Sequence, residues 1–173
     1  MALGSATLSV KGRALQYLAR REHSRAELAR KLARHVQDSP DASAQQQISA
    51  ALDELSQRGL LSEQRTAESV LHSQGQRHGS RRLKQTLLAK GLAADLVAST
   101  LQQARGTELA RAQEVWRRRF GSAPADTAER ARQMRFLAGR GFEPEVIHRV
   151  LRQATDLADD SAEETAPPPC DDD

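Results

Sequence analysis

Apolar residues recur three and four positions apart along most of the chain, and no stretch alternates apolar and polar positions for long. A period near 3.6 rather than 2 predicts helices throughout. The positions between are dominated by Ala, Leu, Arg, Gln and Glu, whose side chains lose little freedom in a helix. Nine helices follow, over about 8–21, 25–36, 44–58, 63–75, 81–90, 93–105, 108–120, 127–139 and 144–154. Their starts are marked by Ser24 with Glu27 and Asp126 with Glu129 as capping boxes, by Ser62, Ser80 and Thr107 as N-caps, and by Pro144 in a first turn. Their ends are marked by Gly59, Gly91, Gly106, Gly121 and Gly141, each suited to a left-handed closing residue.

The helices fall into threes. Ala14 and Leu18 are matched by Ala67 and Leu71, then by Ala112 and Trp116; Ile48 and Leu52 are matched by Val97 and Leu101, then by Ile147 and Leu151. The third-helix positions recur after 49 and 50 residues, and Lys90-Gly91-Leu92 returns as Arg140-Gly141-Phe142 after 50. Tandem three-helix repeats account for that period. The expected fold is all-α, an elongated, curved array with an N-terminal extension at 1–9 and repeats at 10–60, 61–105 and 106–154. The stripes expected to form its core include Leu15, Leu18, Leu28, Leu32, Ile48, Leu52 and Leu55, then Val70, Leu83, Leu87, Val97 and Leu101, then Val115, Trp116, Phe136, Leu137, Val146 and Val150. Residues 155–173 carry three consecutive prolines, eight acids and few apolar groups, which predicts a disordered acidic tail.

That tail changes the meaning of a modest net charge. The chain is +3 as a whole, but residues 1–154 hold 26 Lys and Arg against 15 Asp and Glu, a net +11. A basic body of this kind suits a polyanion or an acidic protein surface. Residues 11–34 are +6 and residues 58–90 are +5. Within the second stretch, the run Arg77-His78-Gly79-Ser80-Arg81-Arg82-Leu83-Lys84 sets bases around an expected helix start, whose N–H groups also attract anions. Arg117, Arg118 and Arg119 advance about 100° each around a helix, so they cannot all face a core.

Other chemistry is not indicated. The single Cys170 has no partner for a disulfide or a zinc site of the usual spacing. The five histidines are dispersed, no phosphate-binding glycine fingerprint or nucleophile elbow occurs, and Asp53 and Glu54 diverge on a helix. No catalytic residue, metal ligand or cofactor is therefore expected. The five aromatics fall at core-like intervals, with no cluster like a base-stacking platform. No apolar run approaches the roughly 18 residues of a membrane span, and the first ten residues lack a secretory pattern, so a cytoplasmic protein is expected.

Several ordered motifs are similar to one family. The run from Ala19 to Leu28, ARREHSRAEL, followed by Leu52-Asp53-Glu54-Leu55 and Arg58-Gly59-Leu60-Leu61, resembles the RecX family. GSRRLKQTLLAKGL at 79–92 and RFLAGRGF at 135–142, with Val146-Ile147, resemble its second and third repeats, so the similarity spans about 10–153. Ser62-Glu63-Gln64 before Arg65-Thr66-Ala67 departs from the family pattern by lacking an aromatic. The resemblance implies a monomeric regulator that lies on filaments of the recombinase RecA on single-stranded DNA and restrains recombination, repair and the SOS response. Contacts to RecA or to single- or double-stranded DNA are then expected at Arg20, Arg21, Arg25, Arg77, Arg81, Arg82, Lys84, Lys90, Arg117, Arg118 and Arg140. The other expectation is a helical DNA-binding module that competes for DNA directly, with the steep salt dependence of phosphate contacts.

Overall fold

The computed structural model describes the chain from Leu8 to Glu163, with side chains up to Leu157. The described residues form nine α-helices: α1 Val10–Leu18, α2 Arg25–Leu32, α3 Ala44–Gln57, α4 Glu63–Gln74, α5 Ser80–Ala89, α6 Ala94–Arg105, α7 Glu108–Arg119, α8 Thr127–Gly139 and α9 Pro144–Glu163. No strand occurs among them, so the all-α expectation holds. No helix among the described residues is long and apolar enough to cross a membrane.

Most helix boundaries match the sequence pattern, and the differences have local causes. Helix α9 continues past the expected end at 154 to Glu163, because no proline or glycine interrupts the chain before Pro167. The predicted disordered tail therefore starts too early; residues 164–173 lie outside the described residues. Ser43 and Gln46 form a capping box that the sequence reading overlooked. In contrast, Ser80 is the first residue of α5 rather than its cap. Thr107 makes no side-chain cap bond, and Gly106 is not among the glycines with positive φ.

By its contacts the chain divides into two compact units. Among the described residues, unit 1 holds 8–73 together with Gln85–Thr100, and unit 2 holds Gln74–Lys84 and 101–163. The core of unit 1 contains Ala14, Leu28, Leu32, Ile48, Leu52, Leu55 and Leu61 from α1, α2, α3 and the turn after α3. That of unit 2 contains Ala112, Val115 and Trp116 of α7, Leu137 of α8, Phe142, and Ile147, Val150, Leu151 and Ala154 of α9. Each buried Leu or Val of these stripes contributes roughly 1.5–3 kcal/mol. Trp116 keeps its polar atom satisfied by donating from Nε1 to Gln133 Oε1 at 2.7 Å. Leu15, expected in the core, is exposed, since it falls on the outer side of α1.

Candidate functional site

In unit 1 the expected basic cluster surrounds the start of α2. Ser24 caps the helix, its Oγ accepting from Glu27 N at 3.1 Å and donating to the Lys90 carbonyl in the α5–α6 turn. Arg25 N donates to Glu63 Oε1, on the first residue of α4, at 2.8 Å. Glu27 gathers Arg21 and Lys90, the latter at 3.0 Å. Burial alone would raise the Glu27 pKa, but the hydrogen bonds from Arg21 and Lys90 outweigh it and hold the carboxyl at about 2. Arg25 pairs with Asp53 at 2.8 Å. Three of the cations named from the sequence here, Arg21, Arg25 and Lys90, thus neutralise carboxylates of the same unit, and Arg20 is exposed. Beneath them His23 is buried, its ring edge-on to Tyr17, and desolvation pushes its pKa below 6.5 despite Glu27 nearby.

The start of α5 in unit 2 was expected to offer free N–H groups to an anion. The fold uses them instead: Gly79 N donates to Arg140 O and Arg81 N to Gly141 O, both at 3.0 Å, and Ser80 N donates to Glu108 Oε1 at 2.9 Å. Glu108 also accepts from the Ser80 hydroxyl and, at 3.4 Å, from Glu143 N. An internal carboxylate, buried at 3% exposure, already occupies the anion position. Arg81, Arg82 and Lys84 are exposed on the same turn and the next.

A different feature collects the basic side chains of unit 2. Arg77, Arg111, Arg118, Arg119 and Arg140 line an open groove of about 620 Å³, with Gln76, Glu114, Val115 and Phe136 also in its walls. Three of the residues named from the sequence, Arg77, Arg118 and Arg140, come together here. Arg117 lies outside it, paired with Glu114 at 3.0 Å. Arg118 pairs with Glu114 at 2.6 Å, and its hydrogen bond holds that carboxyl below the ordinary carboxylate range. Arg111, Arg119 and Phe136 were missed, although Arg111, Arg118 and Arg119 share a helical face at spacings of seven and eight.

Arg111 has a positioning task. Its guanidinium donates to the carbonyls of Gly75, of His78 at 2.6 Å and of Ala104 at 2.8 Å, so it ties the chain after α4 to the end of α6. Burial pushes its pKa below the ordinary value, against the pull of Glu108. Five arginines against one glutamate make the groove strongly positive, and among the described residues no group of His, Cys, Asp and Glu is placed to hold a metal ion.

Comparison with known proteins agrees with the repeat structure. Sequence models of the RecX first, second and third three-helix domains match residues 11–40, 62–101 and 107–151. The chain is 54% identical over 154 residues to the regulatory protein RecX of Leptothrix cholodnii, covering 89% of this chain and 94% of the relative. It is 47% identical over 163 residues to that of Ralstonia nicotianae, covering 94% and 99%. In fold it is similar to the crystal structure of RecX from Lactobacillus salivarius, with a TM-score of 0.69 at 18% identity over 84% of this chain and 94% of that one. With its three repeats matched in order and its relatives covered almost end to end, the chain belongs to the RecX family of regulatory proteins.

Proposed function

We propose that this protein is a cytoplasmic regulator of the RecA recombinase, binding RecA filaments on single-stranded DNA and restraining their ATPase, strand-exchange and coprotease activities. Family membership supplies the regulatory role, and the arginine groove of unit 2 is the observation that carries the choice of a polyanion-containing partner. Inhibition needs no reaction at the regulator: occupying recombinase and strand together opposes filament growth, and several modest contacts add when they share one scaffold.

The test is the single-stranded-DNA-dependent ATPase of the RecA from the same source, titrated with this protein, with binding to bare DNA measured in the same buffer. Inhibition at ratios too low to cover the DNA is the expected result. Inhibition only once the DNA is saturated would instead favour direct competition for DNA, a reading that the same groove supports. In that case inhibition and DNA affinity would fall together with salt, with a slope near −0.7 per phosphate contact.

A further inference from the structure

Unit 2 has a second open groove, of about 580 Å³, on the other helix pair. Arg130 of α8 and His148, Arg149 and Arg152 of α9 line it, with Glu145 and Asp156 flanking them along α9. Arg149 and Arg152 are exposed and Arg130 is half-buried. Among the described residues none of these three arginines lies within ion-pairing distance of a carboxylate, unlike Arg21, Arg25, Arg117 and Arg118. The far end of the same helix reverses the charge. It carries Asp156, Asp159, Asp160 and Glu163, and its last turn holds no cation. A helix C-terminus favours cations, and Asp156 with Asp160 and Asp159 with Glu163 repeat a like charge four residues apart, so this acidity works against the helix that bears it. Glu164 and Asp171-Asp172-Asp173 continue the acidity, separated by the uncharged run Thr165-Ala166-Pro167-Pro168-Pro169-Cys170.

Distances along the chain fit the two features together. Arg152 and Arg149 precede Glu163 by eleven and fourteen residues, about 16 and 21 Å at the helical rise of about 1.5 Å per residue. Asp171 follows Glu163 by eight residues, about 25 Å at the roughly 3.1 Å rise that consecutive prolines favour. A segment turning back after α9 would carry its uncharged run past the acidic end of the helix and bring its three aspartates alongside the arginines. We infer that the α8–α9 groove is the docking site of this chain's own acidic segment, residues 164–173, with Asp171, Asp172 and Asp173 facing Arg130, Arg149 and Arg152. Each exposed pair is weak by itself, but a short tether holds the aspartates at an effective concentration on the order of millimolar, so the contacts add. The segment thereby screens this basic face of unit 2, and an outside acidic group reaches it only by displacing the aspartates. The contact involves neither recombinase nor DNA, so it stands or falls apart from the proposed role.

The chain's single tryptophan and single cysteine supply the experiment. Trp116 bonds to Gln133, three residues from Arg130 of the groove, whereas Cys170 adjoins the three aspartates. Energy transfer from Trp116 to a fluorescent acceptor coupled to Cys170 is measured on the full chain across a salt series. Transfer is expected to be efficient in dilute buffer and to fall roughly twofold or more by about 0.5 M salt, as screening releases the aspartates. Arg149→Gln combined with Arg152→Gln should give the low, salt-insensitive transfer at every salt concentration. Asp171→Asn, Asp172→Asn and Asp173→Asn together should do the same while changing no residue of the nine helices. Circular dichroism establishes that each variant folds. Three results overturn the inference: wild-type transfer that ignores salt, transfer that rises with protein concentration and so comes from a second copy, or loss in Arg77→Gln with Arg118→Gln in place of the Arg149 and Arg152 pair.

Discussion

The two units contain the same joint built in two ways. In each, the start of one helix meets the first residue of the helix two elements later and the turn that follows one element after that. In unit 1 these are α2, Glu63 of α4 and the α5–α6 turn; in unit 2 they are α5, Glu108 of α7 and the α8–α9 turn. The Ser-Arg pair at the helix start is shared, Ser24-Arg25 and Ser80-Arg81, as is the Gly in the turn, Gly91 with φ +76° and Gly141 with φ +81°. The residue before the serine differs, and so does the construction. His23 in unit 1 is a side-chain filler, and the Ser24 hydroxyl carries the bond to the turn. Gly79 in unit 2 brings backbone directly onto backbone, freeing the Ser80 hydroxyl to bind Glu108. Close backbone approach and a buried carboxylate go together, because N–H groups shut away from water need an acceptor.

The largest effect should come from breaking the tighter joint at its glycine. A Cβ on Gly79 would overlap the Gly141 carbonyl oxygen and the backbone of Phe142, none of which is the movable end of a side chain. Gly79→Ala should therefore cost about 3 kcal/mol or more. His23→Ala, at the corresponding position in unit 1, leaves a cavity without a clash and should cost less. Urea unfolding midpoints of the two variants decide this.

A smaller contrast separates the two carboxylates. Glu108→Gln places an amide against the Ser80 donors in a buried site and should cost about 2–4 kcal/mol. Glu63, half-buried with one backbone donor shown, should lose only about 0.5–1.5 kcal/mol as Gln. Equal thermal shifts for the pair would remove the distinction drawn between the joints.

The smallest effect is one of pH. His23 is held neutral by burial, so below about pH 6.5 the unfolded chain takes up a proton that the folded chain refuses, and stability falls as the solution is acidified. Glu27 works lower: its contribution is complete above pH 4.5 and is lost as pH falls towards its folded value of about 2. Amide-exchange protection at the α2 start should thus decline between pH 7 and 5 relative to that at the α5 start. His23→Gln should abolish the decline.

How much of this was legible in the sequence can be followed residue by residue. Leu28, Leu52, Leu83, Leu137 and Val150 lie on helical faces, and local periodicity was enough to bury them. Gly91 and Gly141 were marked as left-handed closers by the runs they end, and both have positive φ. Gly79 carried no such mark, because its constraint is contact with residues some sixty positions away. The same holds for Ser80, whose hydroxyl goes to a carboxylate 28 residues distant instead of capping its own helix. Among the basic residues, sequence density singled out Arg21, Arg25 and Lys90 as readily as Arg77, Arg118 and Arg140. Only tertiary contacts separate cations that face Glu27 and Asp53 from cations that line a groove.

Helix content, the threefold repeat, the basic body and the family were thus determined by the sequence itself, since each depends on local spacing, composition or order along the chain. The pairing of helix starts with distant turns, the burial of Glu108 and the gathering of arginines beside Phe136 were decided by tertiary structure alone. Those features depend on which atoms meet after folding, and a carboxylate or guanidinium chooses its partner by distance in space.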